Sequence, residues 1–384
     1  MASIDTRIDT LSQGRGPRGD VDALYRSRSG EAGLSELKDL RGSAQVSTDL
    51  ADGRIALGAE AVVLDSGVPG GSALGRFGRN PTIEAQAIVD ELPAGLVGVE
   101  TQQESGVAPF LSYEQDDAEL RIGTTPLGFP EKDITAKARG EMRLSNETLL
   151  GIEVEREAVT DSIVSFAGTR DPVTGAYWGQ VMRLRAGIDF SYDERGDGFY
   201  GTLAVARYDG HNVPDNRSYE ANLGGYLLLS ETARSRLTLG SNINYQRYDN
   251  NQNFFTFGQG GYFSPQGFLS IGFPIRYTYR DDRLDLTATA TPGYQSFNQD
   301  AVPVYPTDRG AQAELDALRV LNPDVRAYFD RLSKTGGAFS AGVTGSYAVS
   351  AGTRITGDVL YDSFGNYNEF RSLIGLRQQI GSGN

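Results

Sequence analysis

Strict alternation of apolar and polar side chains, sustained over ten residues or more and repeated along the chain, limits this sequence most severely. Over 182–192, Met182, Leu184, Ala186, Ile188, Phe190 and Tyr192 fall on one face, with Arg183, Arg185, Gly187, Asp189 and Ser191 on the other. Residues 134–144 set Ile134, Ala136, Ala138, Met142 and Leu144 against Lys137, Arg139, Glu141 and Arg143. In 236–246, Leu237, Leu239, Ile243 and Tyr245 oppose Thr238, Asn242, Asn244 and Gln246. In 284–291, Leu284, Leu286, Ala288 and Ala290 oppose Asp285, Thr287, Thr289 and Thr291. A period of two means strands with one apolar face. Strands of soluble proteins usually run about five or six residues, whereas a tilted membrane-spanning strand needs roughly 9–11. The length favours an all-β, transmembrane, antiparallel up-and-down β-barrel.

The connections alternate in length too. Tight turns fall near Ala51-Asp52-Gly53, Asp116-Asp117, Asn146, Arg195-Gly196-Asp197, Thr232-Ala233, Asp281-Asp282 and Ala351-Gly352. Between them lie longer segments at 66–104, 127–132, 159–179, 210–216, 249–263 and 298–336. Outer-membrane barrels show this asymmetry, with short periplasmic turns and long external loops. A first strand near 23–29 and a last near 368–380 bring the expected total to sixteen, enough to leave an aqueous channel. In the first of these, Leu24, Arg26 and Arg28 share a face, which is poor alternation. Gly310–Ser333 leaves the β pattern: Leu315, Leu318, Leu321, Val325, Tyr328 and Leu332 recur at helical spacing, and Asn322-Pro323 divides two expected short helices. A lid over the mouth and an ordered surface loop both fit this segment.

No stretch approaches the roughly 18–20 apolar residues of a membrane-spanning helix, and the mean hydropathy is −0.36. A barrel keeps that average low because half of each strand faces a wet lumen. With 50 acidic and 36 basic residues the net charge is −14, which argues against a nucleic-acid partner. The absence of Cys removes disulfides and thiolate metal sites. A single His, His211, nearly removes His-based catalysis and metal binding. The start, Met1-Ala2-Ser3, has neither the basic nor the apolar region of a signal peptide, so a fragment of a larger precursor is expected. Residues 1–22, with Gly14, Gly16, Pro17 and Gly19, read as a polar linker from an upstream domain, 23–380 as the barrel and 381–384 as a tail.

Three stretches, Arg26–Leu37 (RSRSGEAGLSEL), Phe166–Val181 (FAGTRDPVTGAYWGQV) and Gly258–Gln266 (GQGGYFSPQ), carry a resemblance. The chain resembles, in order from about residue 22 to 380, the export barrel of the cellulose synthase operon's outer-membrane subunit. Its motif positions here are Arg26, Arg28, Gly30, Glu31, Gly260, Gly261, Ser264, Pro265 and Gln266. The resemblance implies an outer-membrane location and passage of a β-1,4-glucan chain to the cell exterior. It also implies a preceding array of periplasmic tetratricopeptide repeats and hand-over from an inner-membrane synthase complex; contact with outer-membrane lipid and lipopolysaccharide is expected of such a barrel, and no cofactor is expected. One departure is the end of the last strand, Arg377-Gln378-Gln379-Ile380, where such barrels usually finish on an aromatic residue. Ile380 is the expected substitute, or Phe370 marks a different frame.

A glucan threading a pore needs partners for its hydroxyls and flat apolar surfaces for its rings, and weak repeated contacts suit transport. The candidates along the wall are Lys137, Arg139, Glu141, Arg183, Arg185, Asp189, Thr238, Asn242, Asn244, Gln246, Asp285 and Thr287. Any barrel lumen is polar because it is wet, so these count as a set. Tyr177, Trp178, Tyr262 and Phe263 are candidate sugar contacts, with loop packing or an interfacial girdle as the plain alternatives. Gly260, Gly261 and Pro265 also satisfy purely structural needs at a sharp turn. A general porin, an exporter of another exopolysaccharide and an adhesin remain open. A hydrolase would have to use His211 with Asp209 and Asp215, without a G-x-S-x-G motif. The acidic loops contain no calcium-loop spacing.

Overall fold

The computed structural model describes residues 16–380; the expected tail and most of the expected linker lie outside them. One antiparallel sheet of sixteen staves closes on itself. The first four are β1 (Arg18–Arg28), β2 (Leu37–Leu50), β3 (Gly53–Gly67) and β4 (Gln102–Glu114). Next come β5 (Ala118–Thr124), β6 (Ile134–Arg143), β7 (Thr148–Ala158) and β8 (Tyr177–Glu194). They are followed by β9 (Asp197–His211), β10 (Val213–Glu231), β11 (Ser235–Tyr248) and β12, which runs as Gly267–Gly272 and Ile275–Arg280 around Phe273-Pro274. The ring is completed by β13 (Leu284–Gln299), β14 (Leu332–Ser350), β15 (Thr353–Asp362) and β16 (Glu369–Gln379). Each stave pairs with its sequence neighbour, and β1 closes the ring on β16 from Arg18↔Gln379 to Arg28↔Glu369. The first strand therefore starts at Arg18, inside the segment expected as linker.

All seven tight turns occur where the sequence places them. The expected loop 210–216 does not. Pairing runs on to Gly210↔Val213, and Asn212 takes a left-handed φ of 53° that Asn tolerates, so β9 and β10 meet in a tight turn. Among the described residues three α-helices stand in the loops, α1 (Asn80–Val89), α2 (Ile163–Phe166) and α3 (Arg309–Leu321), with a short 3-10 helix at Gly71–Arg76 before the first. Only the first half of Gly310–Ser333 is helical. After Asn322-Pro323 the chain extends, and Tyr328–Phe329 pairs with Val302–Pro303.

The apolar faces point outward. Leu184, Ile188, Leu203, Leu223, Ile243 and Val359 stand exposed, where protein leaves them to lipid. Outward Tyr25, Tyr219, Tyr245, Tyr294 and Phe370 flank this band near the long loops, and Phe199, Tyr277 and Tyr347 near the short turns. Phe370 thus belongs to the girdle at the start of β16, and Ile380 holds the terminal position. Met182, expected on the lipid face beside Leu184, is instead only 1% exposed among loop residues. Leu203 sits midway along β9, so Leu203→Arg should destabilise the inserted barrel by about 2–4 kcal/mol. Heat-modifiable gel mobility after refolding into lipid vesicles will report this as lost folded band, with lumen-facing Asn222→Arg folding normally.

Candidate functional site

Every wall residue singled out from alternation lies opposite the outward apolar set and so faces the lumen. On β5–β8 these side chains neutralise one another. Lys137 Nζ lies 2.9 Å from Glu119 and 3.8 Å from Glu153. Arg139 contacts Glu141 at 3.1 Å, Glu153 at 3.3 Å and Asp189 at 3.4 Å. Arg183 reaches Glu155 at 2.6 Å, and Arg185 reaches Glu153 at 3.2 Å and Glu220 at 3.4 Å. Farther round, Asn242 Nδ2 donates to Asn222 Oδ1 at 2.9 Å, Gln246 donates to Tyr248 at 3.1 Å, and Asp285 holds Arg354 at 3.1 Å. Asn244 and Thr287 line the same face half-buried, while Thr238 is only 5% exposed. A cavity of about 360 Å³ opens in the lumen between Arg41, Glu60, Phe110, Lys137, Glu155 and Phe166.

Toward the long loops the lumen fills with a second, apolar core. Leu37, Val62, Leu64, Tyr208 and Tyr248 point inward from β2, β3, β9 and β11, staves on different sides of the ring. They join one cluster with Phe77, Ile163, Val164, Phe257, Tyr262, Tyr305, Leu315 and Leu318 from the loops and Trp178 from the start of β8. The loops therefore build a cap with its own core inside the mouth. Trp178 is fully buried between Phe77 (ring centroids 5.4 Å apart) and Phe257 (5.6 Å). Tyr262 is 1% exposed and its hydroxyl accepts from Asn216 Nδ2 at 3.0 Å. Tyr177 donates to the Ala167 carbonyl at 2.7 Å. Phe263, half-buried, meets Phe297 and Phe268 edge to face. Trp178 and Tyr262 are thus both buried in the cap.

The three motif stretches meet around the segment entering α2. It leaves β7, nearly opposite β1 in the ring, yet its bonds go to β1. Arg26 Nη1 donates to Thr160 Oγ1 at 2.9 Å, and Arg28 donates to the Asp161 carbonyl at 2.7 Å and to Asp161 Oδ2 at 3.2 Å. The Phe263 amide donates to the same carboxylate at 2.9 Å, and Ser162 Oγ to the Gly261 carbonyl at 2.7 Å. The segment therefore crosses the lumen, and the poor alternation of β1 has its cause there: Arg26 and Arg28 anchor a strut. Gly261 has φ +68°, and a Cβ there would stand 2.7 Å from Ser162 Oγ, so only glycine fits. Gly30 has no room for a Cβ, which would lie 2.4 Å from the Glu36 nitrogen, and Gly260 none against Tyr262. Glu31 bonds Arg76 at 2.6 Å; Ser264 Oγ accepts from the Gln252 amide at 2.7 Å; the Pro265 carbonyl accepts from Tyr248 at 2.8 Å; Gln266 Oε1 accepts from Asp300 at 2.7 Å.

Burial alone would raise the Asp161 pKa; the Arg28 guanidinium and the Phe263 amide outweigh it and hold the group below its ordinary value. A depressed folded pKa means that the pair stabilises the cap fully above the unfolded carboxylate value of about 4. That stabilisation is lost as the pH falls through the lower folded value. Near-ultraviolet circular dichroism of the capped aromatics should stay flat from neutral pH down to that range and weaken below it. Asp161→Asn should weaken it at neutral pH; a transition of the parent near neutrality would contradict this assignment.

Sequence reasoning missed two parts of the cap. The helix α1 was legible in Asn80-Pro81 and the good helix formers that follow, since Pro favours the first helical turn. Arg79 was not legible: its guanidinium binds Asp171 at 3.0 Å and Asp308 at 2.6 Å and lies 3.8 Å over the Phe257 ring, tying four loop segments. His211 is exposed and meets Tyr177 edge-on, while Asp215 bonds Arg207 at 2.8 Å and Asp209 lies 4.0 Å from Arg156. These three residues do not assemble as a triad.

Residues 35–381 match the family described as the C-terminus of cellulose synthase operon protein C. A protein of that name from Pseudomonas fluorescens is 32% identical over 98% of this chain and 28% of its own length. One from Komagataeibacter xylinus is 28% identical over 99% of this chain and 30% of its own length. The chain thus spans under a third of these relatives. Among solved structures, a bacterial polysaccharide outer membrane secretin aligns with a TM-score of 0.54 at 8% identity, covering 94% of this chain and 98% of that one, which is a likeness of fold.

Proposed function

Because this chain belongs to the family of the cellulose synthase operon protein C C-terminus, we propose that its outer-membrane barrel conducts a β-1,4-glucan from the periplasm to the exterior. The observation that carries this reading is the pairing of a polar lumen with a mouth capped by its own loops. A wall of exchangeable hydroxyls, amides and internally compensated charges offers many weak contacts and no tight one, as a passing polymer requires. The loop cap is the gate, and its opening admits the chain. The side of the short turns and both described chain ends receives the glucan from periplasmic repeats and, through them, from the synthase complex. A single barrel suffices, and neither a cofactor nor nucleic acid has a part.

The test is current through planar bilayers holding this chain or its Arg79→Ala variant, whose cap is loosened. Length-dependent block by cello-oligosaccharides, with malto-oligosaccharides inert, is the expected result. Equal block by both series would make the barrel a general porin or the exit of another polysaccharide. Silence from both proteins and from Asp161→Asn, which releases the strut held by Arg28, would sink the conduit reading.

A further inference from the structure

We propose that the saccharide runs along one face of the lumen, the inner wall of β11–β14, with the half-buried ring of Phe364 as a stacking platform upon it. This rests on the conduit reading and adds where in the lumen the polymer lies. The two halves of the wall differ in what their polar groups are doing. On β5–β8 the inward acids and bases are spent on one another, at the distances given above. On β11–β14 the inward charges, Arg236, Arg276 and Asp285, are few and lie toward the short turns; most other inward side chains are amides and hydroxyls, with glycines at Gly240, Gly272, Gly293, Gly336 and Gly342. Asn244, Thr287, Thr289, Thr291 and Ser340 are half-buried and bond no other protein side chain among the described residues.

This difference decides where a neutral, hydroxyl-rich polymer runs. A sugar hydroxyl approaching the charged wall competes with charge-assisted bonds, which are roughly twice as strong as neutral ones. Against the other wall it exchanges water for groups whose net hydrogen-bond worth is only about 0.5–1.5 kcal/mol, so contacts form and break easily. Cross-strand register keeps these groups in rows: Thr278↔Thr287, Thr287↔Thr344 and Thr291↔Ser340.

The ring is placed deliberately. The 363–368 loop between β15 and β16 folds inward across β14, held by Gln295, which donates to the Ser363 and Gly365 carbonyls at 3.3 and 3.1 Å and accepts from the Gly365 amide at 2.6 Å. Phe364 then lies on inward Gly293 and Gly272; a Cβ on Gly293 would stand 2.7 Å from the ring, and one on Gly272 3.9 Å. The glycines clear the bed for it. Unlike Trp178 and Tyr262, this ring keeps an exposed part and has no aromatic partner among the described residues. A flat apolar face beside free hydroxyls is the pairing that a pyranose ring and its hydroxyls recognise.

Because the sequence lacks Cys, single cysteines give a clean test. Thr289→Cys marks the proposed track, and Gly151→Cys, where a Cβ meets only ordinary contacts, marks the charged wall. In folded protein in vesicles, cello-oligosaccharides should slow thiol modification at position 289 and leave position 151 unchanged. Adding Phe364→Leu should weaken that protection roughly threefold to tenfold, the order of one lost ring face, and Phe364→Tyr should retain it. Equal protection at both positions, protection at 151 alone, or none at either would overturn the track. Glucan export by cells carrying the unmodified chain reads the conduit separately: export without protection at 289 rejects only the track, and protection without export rejects only the conduit.

Discussion

Trp178→Ala should unfold the cap while leaving the barrel standing. The indole is the largest fully buried side chain of the protein, packed between Phe77 and Phe257. Truncating a buried aromatic costs about 3–5 kcal/mol, transfer and cavity together, and no neighbouring strand can collapse into the gap because the barrel wall fixes the perimeter. Trp178 Nε1 has no hydrogen-bond partner, so the N–H is not what holds the ring; packing is. Trp178→Phe should accordingly recover most of the loss. Hydrogen exchange is the measurement: amides of 68–101, 159–176 and 300–331 should lose protection in the Ala variant, with β9–β14 unchanged. Loss of protection throughout the barrel would mean that cap and wall fold as one unit, against the separation of their cores.

That separation also explains what was legible in the sequence. A strand between lipid and water declares itself every second residue, so Arg183–Ser191 or Leu284–Thr291 could be oriented without neighbours, and the short turns followed. Where a strand end served the cap, the rule broke for a physical reason. Met182 sits in the alternation yet is buried by loops, and Arg26 and Arg28 spoil the alternation of β1 because they reach across the lumen to Thr160 and Asp161. Gly260 to Gln266 and the Trp178 stretch stood out as motifs, but their meeting place depends on contacts between segments a hundred residues apart, which no local pattern carries. The helix α3 was legible from the spacing of Leu315 and Leu318; the non-helical stretch after Pro323 was not, because Val325 and Tyr328 continue the same spacing while Val325 lies in a bend and Tyr328 pairs as strand.

Arg79→Ala should open the mouth. One guanidinium holds Asp171, Asp308 and the face of Phe257, so it joins the loop before α1 to the loop before β8, the loop before β12 and the N-cap of α3. The Asp171 side chain is fully buried, and it keeps bonds from the Arg79 and Thr174 amides but loses its cation. Breaking a buried pair by removing one partner costs about 3–5 kcal/mol, here charged against the cap alone. Asp308 caps α3 through the Gly310 and Ala311 amides at 3.1 and 3.0 Å; those bonds remain, so the helix survives while its tether goes. Single-channel current should therefore rise from rare brief openings to sustained ones. Arg79→Lys should fall between, since an ammonium reaches one carboxylate but cannot fork to two. The double variant Arg79→Ala/Asp171→Asn should recover part of the closed state, because the uncompensated charge is then gone. If Arg79→Ala conducts no more than the parent while its loops lose exchange protection, the strut held by Arg26 and Arg28 is the barrier to flow, and Asp161→Asn becomes the variant that opens the pore.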